Sequence, residues 1–162
     1  MLTLLLKAAT DKDEQQAKDE WINLNAFTAT LVIALHSNAV DRPDYSLFCI
    51  WTVRMALEQE EDPSDTAIAA AAVWLKYASP AIWEFSKRSK TFEGKLAAPG
   101  PLCKDQEWTG FSESRWNTWK QRLTDTWSKI SNGDVAKLSQ EALSAMVSAA
   151  QGESKPSNPR SA

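Results

Sequence analysis

The sequence predicts an all-α fold, an irregular single-domain bundle of about six to seven helices with one long loop, and three observations predict it. Apolar residues recur at three- and four-residue spacing through most of the chain, the pattern of a helix with a buried stripe. Five glycines in 162 residues are too few for the turns of an all-β domain. The seven prolines gather near proposed helix starts, in the 99–101 loop and in the tail.

Residues 11–20 are polar and helix-favouring. From Trp21, one face carries Trp21, Leu24, Thr28, Leu31 and Leu35, and another carries Ile22, Ala26, Ala29 and Ile33, so this helix is expected to be buried on most sides. The chain then turns through Asp41-Arg42-Pro43-Asp44, where proline suits a first helical turn and the acids suit its positive end. A second, mostly apolar helix covers residues 45 to about 59.

The acids Glu58, Glu60, Glu61 and Asp62 read as a solvated helix end, with Asp62 as N-cap and Pro63 as first residue of a third helix reaching about residue 79. Its four alanines at 69–72 would let a neighbouring helix come close, with Trp74, Leu75 and Tyr77 supplying bulk. Ser79-Pro80 restarts or kinks the chain into a short helix carrying Ile82, Trp83 and Phe85.

Residues 89–110 show no sustained periodicity and hold Gly94, Pro99-Gly100-Pro101 and Trp108-Thr109-Gly110, the one long loop, of a length that is often functional or mobile. Ser112 caps a helix whose apolar stripe is Trp116, Trp119, Leu123, Trp127 and Ile130, with Arg115, Arg122, Asp125 and Lys129 on its charged face. Asn132-Gly133-Asp134 breaks it. A last helix with Val135, Leu138, Ala142, Ala145 and Ala149 ends at Gly152, which gives one helical domain over 1–152 and a disordered tail over 153–162.

Charge and motifs remove several function classes. A net charge of −3 with pI near 5.2 gives no footprint for nucleic acid or an anionic membrane, so neither is an expected partner. The longest apolar run, residues 67–75, falls short of the ~20 needed to span a bilayer. The short N-terminal run Met1-Leu-Thr-Leu-Leu-Leu-Lys7 has its lysine on the wrong side for a signal peptide, and Cys49 and Cys103 demand no disulfide. An intracellular, cytoplasmic protein is expected.

Metal sites and nucleophilic triads usually need histidine, and the chain has only His36, placed where a helix C-terminus would offer it carbonyls. Phosphate loops, a G-x-S-x-G elbow and a CxxC zinc pattern do not occur, so no metal and no cofactor is expected and no catalytic residue can be named. Acid pairs such as Glu84 with Glu93, or Asp41 with Asp44, could serve acid/base chemistry only at distances a sequence does not supply.

Polar residues inside apolar segments remain as candidates. Asn23 and Asn25 interrupt the first helix, and Arg54 stands among Trp51, Val53, Met55 and Leu57, where a guanidinium needs an acid or carbonyls. Each reads either as part of an internal network or as a polar anchor in a pocket. Trp116 and Trp119 read as core, with a flat wall for an apolar ligand as the alternative. The candidate ligand-binding residues are therefore Asn25, Arg54, Trp116, Trp119 and His36.

Four blocks occur in one order: Asn23-Leu24-Asn25-Ala26-Phe27, Ile50-Trp51-Thr52-Val53-Arg54-Met55-Ala56-Leu57-Glu58, Ala71-Ala72-Val73-Trp74-Leu75-Lys76-Tyr77-Ala78 and Arg115-Trp116-Asn117-Thr118-Trp119-Lys120-Gln121-Arg122-Leu123. Over residues 21–147 the chain thereby resembles an uncharacterised helical family of filamentous fungi, the domain of unknown function 3632. The resemblance implies an all-helical fungal protein and supplies no catalytic residues. Two functions stand side by side: a non-enzymatic interaction or ligand-binding module, for a protein partner or an apolar small molecule, and a small cyclase- or isomerase-like enzyme or pocket protein of fungal secondary metabolism.

Overall fold

The computed structural model describes residues 2–36 and 44–152, with side chains from residue 11 onward. The expected turn at 41–43 and the tail at 153–162 lie outside the described residues, as do the side chains of the N-terminal leucines. Among the described residues six α-helices follow one another: α1 (Leu2–His36), α2 (Ser46–Leu57), α3 (Asp65–Tyr77), α4 (Ser79–Lys87), α5 (Glu113–Thr126) and α6 (Gly133–Gln151). Short 3₁₀ turns occupy Pro101–Cys103 and Trp127–Lys129. The fold is all-α, as the periodicity predicts.

The third helix is the centre of the bundle, packed by α1, α2, α4 and α6. Its alanines explain this position. Ala69, Ala70, Ala71 and Ala72 are all buried, and side chains this small let the axes of α1 and α6 approach closely. Trp74 and Leu75, both fully buried, supply bulk to the core, and Trp74 reaches Asn25 of α1. Ala78 separates α3 from α4, and Pro80 sits in the first turn of α4, where its missing N–H is harmless.

Caps differ in detail from the sequence reading. Ser64, not Asp62, is the N-cap of α3: its hydroxyl accepts from the Ala67 amide at 3.2 Å, while Asp62 is held by Lys129 at 2.6 Å. Ser112 caps α5 as expected, accepting from the Arg115 amide at 3.1 Å. Asn132 caps α6, its side-chain oxygen taking the Asp134 and Val135 amides. After Thr126 the α-helix tightens into a 3₁₀ turn, which rotates Trp127 off the buried stripe and leaves it half exposed.

Three expectations are corrected by burial. Glu58, read as part of a solvated acidic run, is completely buried, and so is Arg115, read as part of the charged face of α5. They form an ion pair with each other, and that pairing is what permits both to leave water. The first helix is buried on one face only, through Ala29 and Val32 with Ile33 beside them, while the face of Trp21 and Leu24 is exposed.

Candidate functional site

Two assemblies of polar and aromatic residues stand out, one closed and one open. The closed one surrounds Glu58 at the C-cap of α2. Arg115 donates from Nε to Glu58 Oε1 at 2.8 Å and from Nη2 to Oε2 at 3.0 Å, the fork geometry that suits guanidinium to carboxylate. Trp119 Nε1 donates to Oε1 at 2.6 Å, and the Gly100 amide donates to Oε2 at 2.8 Å. The second terminal nitrogen of Arg115 reaches the carbonyls of Ala97 at 2.7 Å and Gly110 at 3.0 Å.

This cluster organises the 89–110 segment, which is irregular without being unsupported. Leu102 N donates to Glu58 O at 3.0 Å, Trp51 Nε1 to Leu96 O at 2.8 Å and Arg54 Nη1 to Ala98 O at 2.9 Å. The base of the loop is closed by Phe92 N to Thr109 O at 2.9 Å and Phe111 N to Lys90 O at 2.8 Å, flanking an isolated bridge between Thr91 and Gly110. Glycine is required at two of these contacts. A Cβ on Gly100 would lie 2.5 Å from Glu58 O, and one on Gly110 would lie 1.9 Å from Lys90 O.

With carboxylate oxygens and guanidinium nitrogens all engaged, the cluster offers a ligand nothing to bind. It is a structural clasp. Cys49 and Cys103, both free and buried, lie in its field: burial pushes each thiol up from its ordinary range, Arg115 opposes this in both, and Glu58 adds to it at Cys103.

The open assembly is an apolar groove between α1 and α2. Both helices rest on α3 but barely touch each other, so their facing sides splay and leave a cavity of about 540 Å³. From α1 come Trp21, Leu24, Asn25, Phe27, Thr28 and Leu31; Phe48, Trp51, Thr52 and Met55 face them from α2, with Tyr45 at the end. None of these residues carries a charge. Phe27 and Met55 are each 66% exposed, and Trp21, Leu24 and Phe48 are also exposed. Phe48 stacks edge-on against Trp51 with ring centroids 5.3 Å apart, which fixes one wall.

Asn25 forms the floor. Its Oδ1 accepts from Thr52 Oγ1 and from Trp74 Nε1, each at 2.8 Å, and its Nδ2 donates to the Trp21 carbonyl at 2.9 Å. One residue thus ties α1, α2 and α3 together beneath the groove and hides their polar atoms from it.

The structure scatters the other candidates named from sequence. Arg54 turns away from the groove toward Ala98. Trp116 and Trp119 are fully buried, with Trp116 against Trp83 at 5.4 Å and Trp119 against Phe111 at 6.2 Å. His36, exposed at the end of α1, meets the Phe85 ring edge-on at 5.0 Å. Asn23 is exposed. Only Asn25 belongs to the groove.

Sequence reasoning missed Glu58 and the groove. The second had a signal: Phe48, Trp51, Thr52 and Met55 form a helical stripe on α2 in addition to its core stripe, and α1 likewise has two. Among the described residues no three metal-ligating side chains come together, and no helix is long and apolar enough to cross a membrane.

Comparison with curated proteins gives no match, and neither does comparison with solved structures. A family match covers α1 to α4, the loop and most of α5, and stops before α6. It includes the groove and the Glu58 clasp whole. Matched over residues 1–123, the chain belongs to the family described as protein of unknown function DUF3632.

Proposed function

We propose that this protein is a non-enzymatic binding module whose site is the α1/α2 groove. The observation that carries the reading is the row of exposed aromatic and aliphatic side chains from two helices around one uncharged cavity. Its volume of about 540 Å³ falls in the range of roughly 300–1,000 Å³ usual for ligand sites. Exposed apolar surface gathered in one concave place favours an occupant, because complete burial of such a side chain is worth about 1.5–3 kcal/mol and those at the groove's rim are only about half covered. Binding is favoured over catalysis by the state of the polar residues, since Asn25 Oδ1 already holds two hydrogen bonds and Arg54 is engaged by the loop. An intracellular, cytoplasmic setting goes with this reading, supported by two buried free cysteines.

The test is a titration with diphenylhexatriene, a neutral apolar fluorophore, read by energy transfer from the tryptophans, of which Trp21 and Trp51 line the groove. A saturable signal that Leu24→Glu removes is expected, with the circular dichroism of the variant unchanged. Absence of saturable transfer, or transfer indifferent to Leu24→Glu, would refute the assignment.

A further inference from the structure

We infer that the occupant of the groove is an amphipathic helix of a partner protein, about three turns long, with basic residues at one end. The inference rests on the groove being a binding site and adds what fills it. Three observations select the occupant: shape, length and charge.

Shape comes first. The walls are two helices that lie side by side on α3 and barely touch each other, so the element that would complete that layer is a third helix lying in the trough. Asn25 closes the floor with its polar atoms turned inward, which leaves an apolar bed and no backbone edge that an extended peptide could pair with. The length follows from the lining. Trp21 and Leu31 mark its ends on α1 and Met55 and Tyr45 its ends on α2, and the Thr52 to Asn25 hydrogen bond joins the two walls between those ends. At 1.5 Å per residue each wall is about 15 Å long, room for apolar anchors at positions i, i+4 and i+7 of a docked helix.

Charge gives the polarity of the partner. Met55 lines both the groove and an adjoining hollow of about 430 Å³ built by Gln59, Glu60, Glu61 and Pro101. Asp62 in that hollow is held by Lys129 at 2.6 Å, but Glu60 and Glu61 are exposed and pair with no basic side chain among the described residues. An apolar trough that runs into two free carboxylates accepts a helix whose apolar face is followed by lysine or arginine. The groove of a second copy, docked face to face, does not supply that pattern. Residues 20–35 contain no lysine or arginine, and the one on α2, Arg54, is engaged by Ala98.

The experiment uses the full chain and two designed peptides of about 14 residues, both with leucine at i, i+4 and i+7, one ending in two lysines and the other in two glutamates. Binding is read by fluorescence anisotropy, beside the diphenylhexatriene titration. The lysine peptide is expected to bind at least tenfold more tightly than the glutamate peptide, to displace the fluorophore, and to lose its advantage in Glu60→Lys/Glu61→Lys. Both lie on the exposed surface, so this variant keeps the fold. Equal binding of the two peptides would overturn the charged end. Binding of the fluorophore but of neither peptide would overturn the helix and leave a small apolar ligand as occupant. A dimer in sedimentation that Leu24→Glu dissociates would overturn it in favour of self-association. Failure of fluorophore and peptides together would remove the groove reading itself.

Discussion

The Glu58 carboxylate and the Arg115 guanidinium meet in two near-parallel hydrogen bonds of 2.8 and 3.0 Å, with neither side chain open to water. The pair joins the end of α2 to the first turn of α5 and carries the intervening loop between them. Removing one partner leaves a buried charge, so Arg115→Ala and Glu58→Ala should each cost about 3–5 kcal/mol. Their double variant should cost far less than the sum, which urea denaturation of the three proteins would reveal. Additive losses would mean that the two side chains act independently.

Glycine substitutions should separate by site. Gly110→Ala forces a methyl into Lys90 O and should destabilise by about 3 kcal/mol, and Gly100→Ala should behave alike against Glu58 O. Gly133, in the first turn of α6 with open space around its Cβ position, is the control. Gly133→Ala should be neutral or stabilising by up to about 1 kcal/mol, since it narrows the unfolded ensemble. Thermal melts of the three variants provide the ranking.

Asn25→Ala strips the buried Trp74 indole N–H and the Thr52 hydroxyl of their acceptor. The expected loss is about 1–3 kcal/mol. Asn25→Leu should not recover it, because what fails is hydrogen bonding, not volume. Chemical denaturation midpoints distinguish the two causes.

The two thiols should be silent in the folded protein. Burial is the largest influence on both and holds them above their usual range, so thiolate is scarce at neutral pH. Ellman's reagent should label Cys49 and Cys103 only at the rate of unfolding, and rapid labelling of either in native buffer would show that its surroundings open.

Asp44 should contribute to acid sensitivity. Burial raises its pKa, but hydrogen bonds from Lys90 and Ser46 together outweigh this and hold it below the ordinary carboxylate value. A carboxyl lowered on folding adds stability above its unfolded pKa, and that stability disappears as pH falls through the folded value. Asp44→Asn should therefore flatten the stability profile on the acid side and leave the alkaline side unchanged, as followed by melting temperature against pH.

The architecture was legible where one residue type has one common environment. Alanines at 69–72, the Ser112 cap and the proline after Ser79 all do what their chemistry suggests. Glu58 and Arg115 were misread because a charged residue is normally solvated, and only a partner 57 positions away makes it otherwise. The groove was misread for a related reason. Periodicity shows that α1 has two apolar faces, but whether a second helix covers the second face is a property of the bundle. Likewise Trp116 and Trp119, offered as core or as wall, differ from Trp21 and Trp51 in nothing that the local sequence contains.

The non-local make-up of the clasp predicts an order of assembly, which folding and unfolding rates would test. Its members come from residues 54, 58, 97–102, 110, 115 and 119, so no local segment can build it alone. The adjoining α3 and α4 can nucleate early, whereas the loop can settle only once α5 has found α2, after the entropy of a long closure has been met. Contacts made that late in folding govern escape from the native state, so weakening the clasp should quicken unfolding while leaving the rate of folding nearly unaltered.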